Sequence, residues 1–427
     1  YRYNFKKNQV QKTGALVIST APSGAEVTLN NEPLASATPI RENNILPDEY
    51  RVVVSKDGYY PWEKKLAIKT QETTFAEDIV LFRKGEPQKA IDYEMEWIDF
   101  SPDRQYAAFS AAGFGQGFLY LFNAASQKTK LLYSDKKPFS NPKILWSADG
   151  MKILFQNGNK TLAIATLGLK NIADISEIAK KYSLTDFRFG EADSNQLFAI
   201  GLAAPAGKGA VYRIDLPGPE ISRIFLPEKY ETALDYFING NTLFIIKQIR
   251  DGNVILAKYD MSKTNGSAEF YKTLALNNAS SAFVGVYGNK LAISDAANSN
   301  FYLINFDLDK ILFNKSNVAS VDFHRKKNYL LLQTNQELSY LNLSDSDLNE
   351  KNITRFSQGV LSAKWHKSPN YLAALQNNEL RIIELDDRDG HFVIAFPAQN
   401  ITAFSFDADS SNLYYLQDKQ LWQLKMD

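Results

Sequence analysis

The feature that most restricts the fold of this chain is a recurrence. From residue 95 onward a short strand ends in an aromatic, a polar turn follows, and an apolar strand comes next. The aligned aromatics are Phe100, Trp146, Phe189, Phe237, Tyr287, Phe323, Trp365 and Phe406, spaced 36 to 50 residues apart. "LWSADGMKILF" (145–155), "DFHRKKNYLLL" (322–332), "KWHKSPNYLAAL" (364–375) and "SFDADSSNLYYL" (405–416) are the clearest copies. A period of about 40–50 residues matches a four-stranded blade, which cannot bury both faces alone and must stack on its neighbours. Eight such units predict a β-propeller of eight blades over residues 95–427, with seven as the alternative count. This also accounts for the length, because 427 residues exceed what one ordinary core supports.

The last unit is short. After Phe406 only "NLYYLQ" (412–417) and "QLWQLKM" (420–426) fit as strands. The expectation is that residues within 77–92 supply the missing outer strand. The second-to-third strand loops would then point away from the N-terminal module and from any anchor. They are short in three units, "NGN" (157–159), "TNQ" (334–336) and "QNN" (376–378). They are long in units one, three, four and five, as in "SAAGFGQG", "GLAAPAGKGA", "QIRDGN" and "SDAANSN". Lengthening on neighbouring units would raise a rim suited to recognition. Phe114 and Gln116 in the first of these loops, with Lys208, Arg250 and Asp251 in the others, are the candidate binding residues.

The N-terminal region has another rhythm. "GALVIST" (14–20), "AEVTLN" (25–30), "YRVVVSK" (50–56), "KKLAIKT" (64–70) and "TTFAEDIVLF" (73–82) read as strands, with prolines between them where a missing N–H does no harm. Asn30-Asn31 reads as a tight turn. Residues 14–82 therefore form a small β domain, after a leader (1–13) and before a charged linker (83–94). Within "APSGAEVTLNNEPL" (21–34), Pro22-Ser23-Gly24-Ala25 resembles the signature of PEGA domains, with Ser23 in the place of Glu. The resemblance continues through "TPI" (38–40), "LPDEYRVVVSKDGY" (46–59) and Trp62, with Asp48 where the family usually has glycine. It implies a small β-sandwich of an exported or surface protein, serving as a binding or spacer module. The later repeats resemble TolB-like and WD40-like propellers, whose blades carry an aromatic-Ser-Pro-Asp-Gly turn; Phe100–Asp103 and Trp146–Gly150 keep it best. The fold class expected is all-β, a PEGA-like sandwich followed by a propeller. Tyr59, Tyr60 and Trp62 either pack against the propeller or their own core, or form a stacking surface for a sugar or peptide.

Composition removes several functions. Lys+Arg and Asp+Glu are both 48, so no net charge draws nucleic acid, and none is expected as a partner. Cysteine is absent, which excludes disulfides, thiolate zinc sites and a cysteine nucleophile. No apolar run of about 18 residues is present. The opening "YRYNFKK" mixes aromatics and cations as a membrane flank does, so a helix preceding Tyr1 is the expected anchor. His324 and His366 occupy equivalent repeat positions, which a turn role explains, and no paired-histidine spacing exists. "GLAAPAGKGA" (201–210) lacks the spacing of a phosphate loop. No catalytic residue, metal ligand or cofactor is nominated. The reading is a non-enzymatic, extracytoplasmic, membrane-tethered surface protein whose propeller recognises an envelope protein or a cell-wall glycan. The alternatives are a glycan lyase or hydrolase using the propeller mouth, and the ectodomain of a sensor.

Overall fold

The structure is a computed structural model that describes all residues except 1, 2, 7, 8, 114, 167–171, 204–207, 217, 251, 262–280, 296–299, 309, 325, 377–378 and 398–399. The chain forms two compact units, one of residues 1–92, 322–342 and 350–427, the other of residues 93–321 and 343–349. Among the described residues the one helix is Ser176–Lys181, and nearly all other regular structure is strand.

The first unit opens with a hairpin, Tyr3–Lys6 against Gln9–Lys12, and then a two-sheet domain. Gly14–Ala21 is the central strand of one sheet, antiparallel to Ile40–Ile45 and parallel to Thr73–Val80. The other sheet runs Glu32–Pro33, Glu26–Leu29, Asp48–Ser55, Trp62–Ile68. Strict alternation in Trp62–Ile68 sends Trp62, Lys64, Leu66 and Ile68 inward. Leu16, Ile18, Val27, Val52, Val54 and Leu66 share the resulting core. Asn30 and Asn31 both take left-handed backbone, φ 50° and 68°, as the turn reading requires.

One strand of this domain escapes a sequence reading. "IRENNI" (40–45) looks like a polar loop, and its two isoleucines are five residues apart, which puts them on opposite faces of a regular strand. Both are nevertheless buried. Asn44 is left-handed, φ 64°, and the register with the central strand shifts between Gly14 and Ala15. That bulge turns Ile45 back onto the inner face.

From residue 95 the sheets follow one another in series, with strands paired in chain order: 95–135, 143–174, 185–225, 232–260, 281–316, 318–355, 362–397 and 401–425. Each of the eight repeat aromatics falls on the first strand of a different sheet. The sheet at 232–260 has three strands among the described residues. The last sheet gains its fourth from the linker: Gln88–Lys89 pairs antiparallel with Gln420–Lys425, Gln88 opposite Gln423 and Lys89 opposite Trp422. The donated outer strand is where the short final repeat requires it.

The repeated turn has a common chemistry. Ser101 Oγ donates to Asp103 Oδ1 (2.5 Å) while the Tyr106 N–H donates to Ser101 Oγ (3.0 Å). Ser147, Asp149 and Lys152 repeat this in the next sheet. The fourth turn residue is left-handed in both, Arg104 at φ 61° and Gly150 at φ 68°. Only the second demands glycine, because a Cβ on Gly150 would stand 2.8 Å from the Asp103 carboxylate. Carboxylates also bridge first strands. Within the second unit Asp235 accepts from the Phe283 N–H (2.7 Å) and from Arg188 Nη2 (3.0 Å), joining three successive sheets. Within the first unit Asp322 accepts from the Trp365 N–H (2.8 Å) in the same manner.

The small domain is fastened to the last two sheets of its own unit. Lys64, 1% exposed, donates to the carbonyl oxygens of Asp386 (2.6 Å), Arg388 (3.1 Å) and Gly390 (2.6 Å), and its ammonium lies 3.2 Å from Glu384. Glu384 also accepts from Trp62 Nε1 (3.0 Å) and from Tyr371 Oη (3.0 Å). Burial holds the Tyr371 phenol well above its ordinary range, so it remains a donor at any physiological pH. Its oxygen in turn accepts from the Val80 N–H (3.1 Å). Phe82 packs edge-on against Tyr371 and His366, with centroids 5.3 and 5.7 Å away. Arg388 reaches the Phe75 carbonyl (2.9 Å).

This junction generates a stability prediction. Glu384→Leu strands Lys64, the Trp62 N–H and the Tyr371 hydroxyl, and should cost about 3–5 kcal/mol, as breaking a buried ion pair does. Glu384→Gln keeps one acceptor oxygen and should cost clearly less. Urea unfolding followed by tryptophan fluorescence reads both; equal losses would show that the carboxylate is not the hub.

Candidate functional site

A cleft of about 760 Å³ lies in the second unit, between the sheets at 185–225 and 232–260. Its apolar walls come from Phe198, Phe225, Ile238 and Tyr259. Polar groups stand along it, among them Asp193, Arg213, Glu231, Asn241 and Lys247. Lys247 is buried and donates to both oxygens of Glu231 at 2.8 Å, beneath the Tyr259 ring. Burial opposes its charge, yet the hydrogen bonds with Glu231 and Tyr259 prevail and hold its pKa above the ordinary lysine value. A lysine so held stays protonated and is a poor nucleophile; its role is to keep a cation in the wall. Burial also raises the Tyr259 phenol, so that group is neutral. Among the described residues no group of three or more His, Cys, Asp or Glu could hold a metal ion.

The loop that supplies Leu226, Glu228 and Glu231 to the cleft also carries Tyr230, which is 56% exposed. Arg250, just after the strand Thr242–Gln248 of the next sheet, lies with its guanidinium carbon 5.0 Å from the Tyr230 centroid, and Lys229 Nζ lies 5.1 Å from it. In a meander, second-to-third strand turns and sheet-to-sheet connections fall at the same end, so Arg250 and connection 226–231 share a face. Leu202 belongs to that end of the preceding sheet and is 51% exposed.

The residues nominated from sequence distribute unevenly. Arg250 is exposed and joins this patch. Gln116 is exposed at the start of Gln116–Asn123. Lys208 begins the strand Lys208–Asp215, its side chain lying outside the described residues, as do Phe114 and Asp251 altogether. Trp62, 1% exposed and bonded to Glu384, has no free ring face, so it packs and does not stack on a ligand. Tyr60 packs against Phe396 with centroids 6.0 Å apart, and Tyr59 is half-buried against the small-domain core. The two histidines are more than turn residues. His324 and His366 are buried, His324 edge-on to Trp365 and His366 edge-on to Phe406. Tyr230 was missed because its stretch, "LPEKYE" (226–231), lies between repeats and carries no periodic signal.

Residues 13–81 match the PEGA domain family. Among curated proteins, none matches the sequence. In structure the chain is similar to the Dos1 propeller, with 13% identity, a TM-score of 0.49, and coverage of 81% of this chain and 95% of that one. It is also similar to the β-propeller domain of Myceliophteria thermophila Cps50 (Swd1), with 11% identity, a TM-score of 0.42, and coverage of 80% and 100%. A chain from the mitotic checkpoint complex gives 13% identity, a TM-score of 0.40, and coverage of 80% and 91%. The PEGA match and the series of meander sheets make this an all-β chain in which a PEGA domain precedes a β-propeller.

The wall and the patch should respond differently to substitution. Lys247→Met leaves Glu231 without its cation and should cost about 2 kcal/mol. Tyr230→Ala and Arg250→Ala, at the surface, should each stay within about 0.5 kcal/mol of the parent. Thermal unfolding of the three variants decides it; a large loss from Tyr230→Ala would make that residue a packing element.

Proposed function

We propose that this chain is a non-enzymatic, extracytoplasmic binding scaffold, tethered to a membrane by a segment preceding Tyr1, and that its propeller recognises another envelope protein. The observation that carries the reading is the exposed Tyr230, flanked by Lys229 and Arg250, on the end of the sheets that bears the long loops. Tyrosine and arginine are the residues that dominate binding at protein interfaces. The PEGA match supports the compartment, because PEGA domains typically belong to extracellular or periplasmic proteins. The aromatic and cationic leader supports the tether. Among the described residues no helix is long and apolar enough to cross a membrane. The fastening of the PEGA domain to the last sheets supports a fixed platform, which loses little conformational freedom on binding.

Two measurements test this. The native, full-length protein should fractionate with membranes and need detergent for release; recovery in the cytosol would overturn the compartment. A photo-crosslinking amino acid at position 250 or 116 should capture an envelope protein, and one at position 128, on the opposite end, should not. Capture of cell-wall glycan alone, or capture only from position 128, would refute the protein-binding face.

A further inference from the structure

We propose that the surface running from connection 176–184 to Arg250 docks an acidic segment of a partner protein that also carries aromatic or aliphatic side chains. This rests on the scaffold reading and names the partner's chemistry at that same face. Four backbone segments converge there. The Leu202 N–H donates to the Tyr182 carbonyl (2.9 Å), joining the hairpin end at 202–203 to connection 176–184. The Gly209 N–H donates to Thr232 Oγ1 (3.0 Å), joining the other arm of that hairpin to connection 226–232. Arg250 then bridges to Tyr230 from the following sheet.

The chemistry of the surface is consistent along its length. The same pair of residue types occurs in both connections: Lys181 lies over Tyr182 at 5.3 Å and Lys229 over Tyr230 at 5.1 Å. Lys180, Lys181, Lys229 and Arg250 are exposed cations, beside the exposed carboxylates Glu177 and Glu228. Glu231, the next carboxylate, is held by Lys247. Among these groups the exposed cations outnumber the exposed carboxylates four to two, on a chain of zero net charge. Cations resting on aromatic faces are already oriented, so a carboxylate can meet them at reduced entropic cost.

Charge alone does not describe it. Tyr230, Leu202 and Leu226 are 56%, 51% and 50% exposed. Large apolar side chains gathered on one surface favour an apolar partner group, and interfaces place such anchors inside a polar rim. A polyanionic glycan satisfies the cations and leaves these three in water. An acidic protein segment bearing its own aromatic or aliphatic anchors covers both.

The test uses the whole chain with three soluble probes: a Glu/Tyr copolymer, poly-Glu, and polygalacturonate. Binding is read by fluorescence anisotropy at low and high salt. The copolymer should bind about tenfold or more tightly than either of the others. Tyr230→Ala should remove most of that advantage, while Arg250→Glu and Lys181→Glu should weaken all three probes, most at low salt. Lys128→Glu, at the other end of the sheets, should change nothing. Unaltered thermal midpoints in the variants keep folding out of the comparison. Equal binding of all three probes would replace the proposal with a general anion surface. No copolymer binding, or an equal loss from Lys128→Glu, would refute it. If copolymer binding fails while crosslinking from position 250 captures an envelope protein, the acidic-segment proposal falls and the scaffold reading stands.

Discussion

Glu384 is the carboxylate on which the first unit depends. It is buried, and a buried charge is tolerated only where its lone pairs are met. Lys64, the Trp62 indole and the Tyr371 hydroxyl meet them, and two of these three come from the small domain. Lys64 is itself completed by three carbonyl oxygens of the turn at 386–390. The attachment is therefore directional as well as apolar, since no sliding or rotation keeps all of these bonds. A module that its family resemblance describes as binding or spacer is here fixed to the sheets beside it.

The succession of sheets uses the same economy of buried acceptors. Asp235 and Asp322, on first strands of different sheets, each accept a backbone N–H from the first strand of the next. Turns at one end pass contacts onward as well. Lys152 Nζ donates to Asn195 Oδ1 (2.8 Å) within the second unit, and the Lys367 N–H donates to Ser410 Oγ (2.9 Å) within the first. His324 belongs to this chain of contacts, with Nε2 at 3.1 Å from the Lys367 carbonyl oxygen. Its recurrence with His366 reflects a slot between sheets that suits a flat polar ring, His324 edge-on to Trp365 and His366 edge-on to Phe406.

The proposed recognition surface is made of what the framework leaves outside. Each of the eight repeat aromatics is buried or half-buried, so an exposed Tyr230 departs from that pattern. Lys247 and Glu231 pair with one another in the wall of the adjacent cleft. The residues available for recognition are thus carried by connections and turns, where substitution costs the framework little.

The aromatic spacing of 36 to 50 residues determined the series of sheets from sequence alone, because each repeat aromatic marks the first strand of a different sheet, and Trp146, Phe237, Trp365 and Phe406 are buried there. The missing strand after residue 426 likewise foretold a donor near the linker, since an exposed sheet edge would otherwise remain. The PEGA domain was legible in its turn residues, whose backbone requirements are local. Tertiary structure alone decided the rest. "IRENNI" becomes a strand only through a bulge set by its partner. Lys64 opens the strand stretch "KKLAIKT", and its burial depends on a carboxylate 320 residues later in the sequence. Tyr230 and Arg250 meet because two loops of adjacent sheets end at the same height. Periodicity records what a strand does to its own side chains; which distant group completes a buried charge, or which loops converge, depends on how the sheets stack.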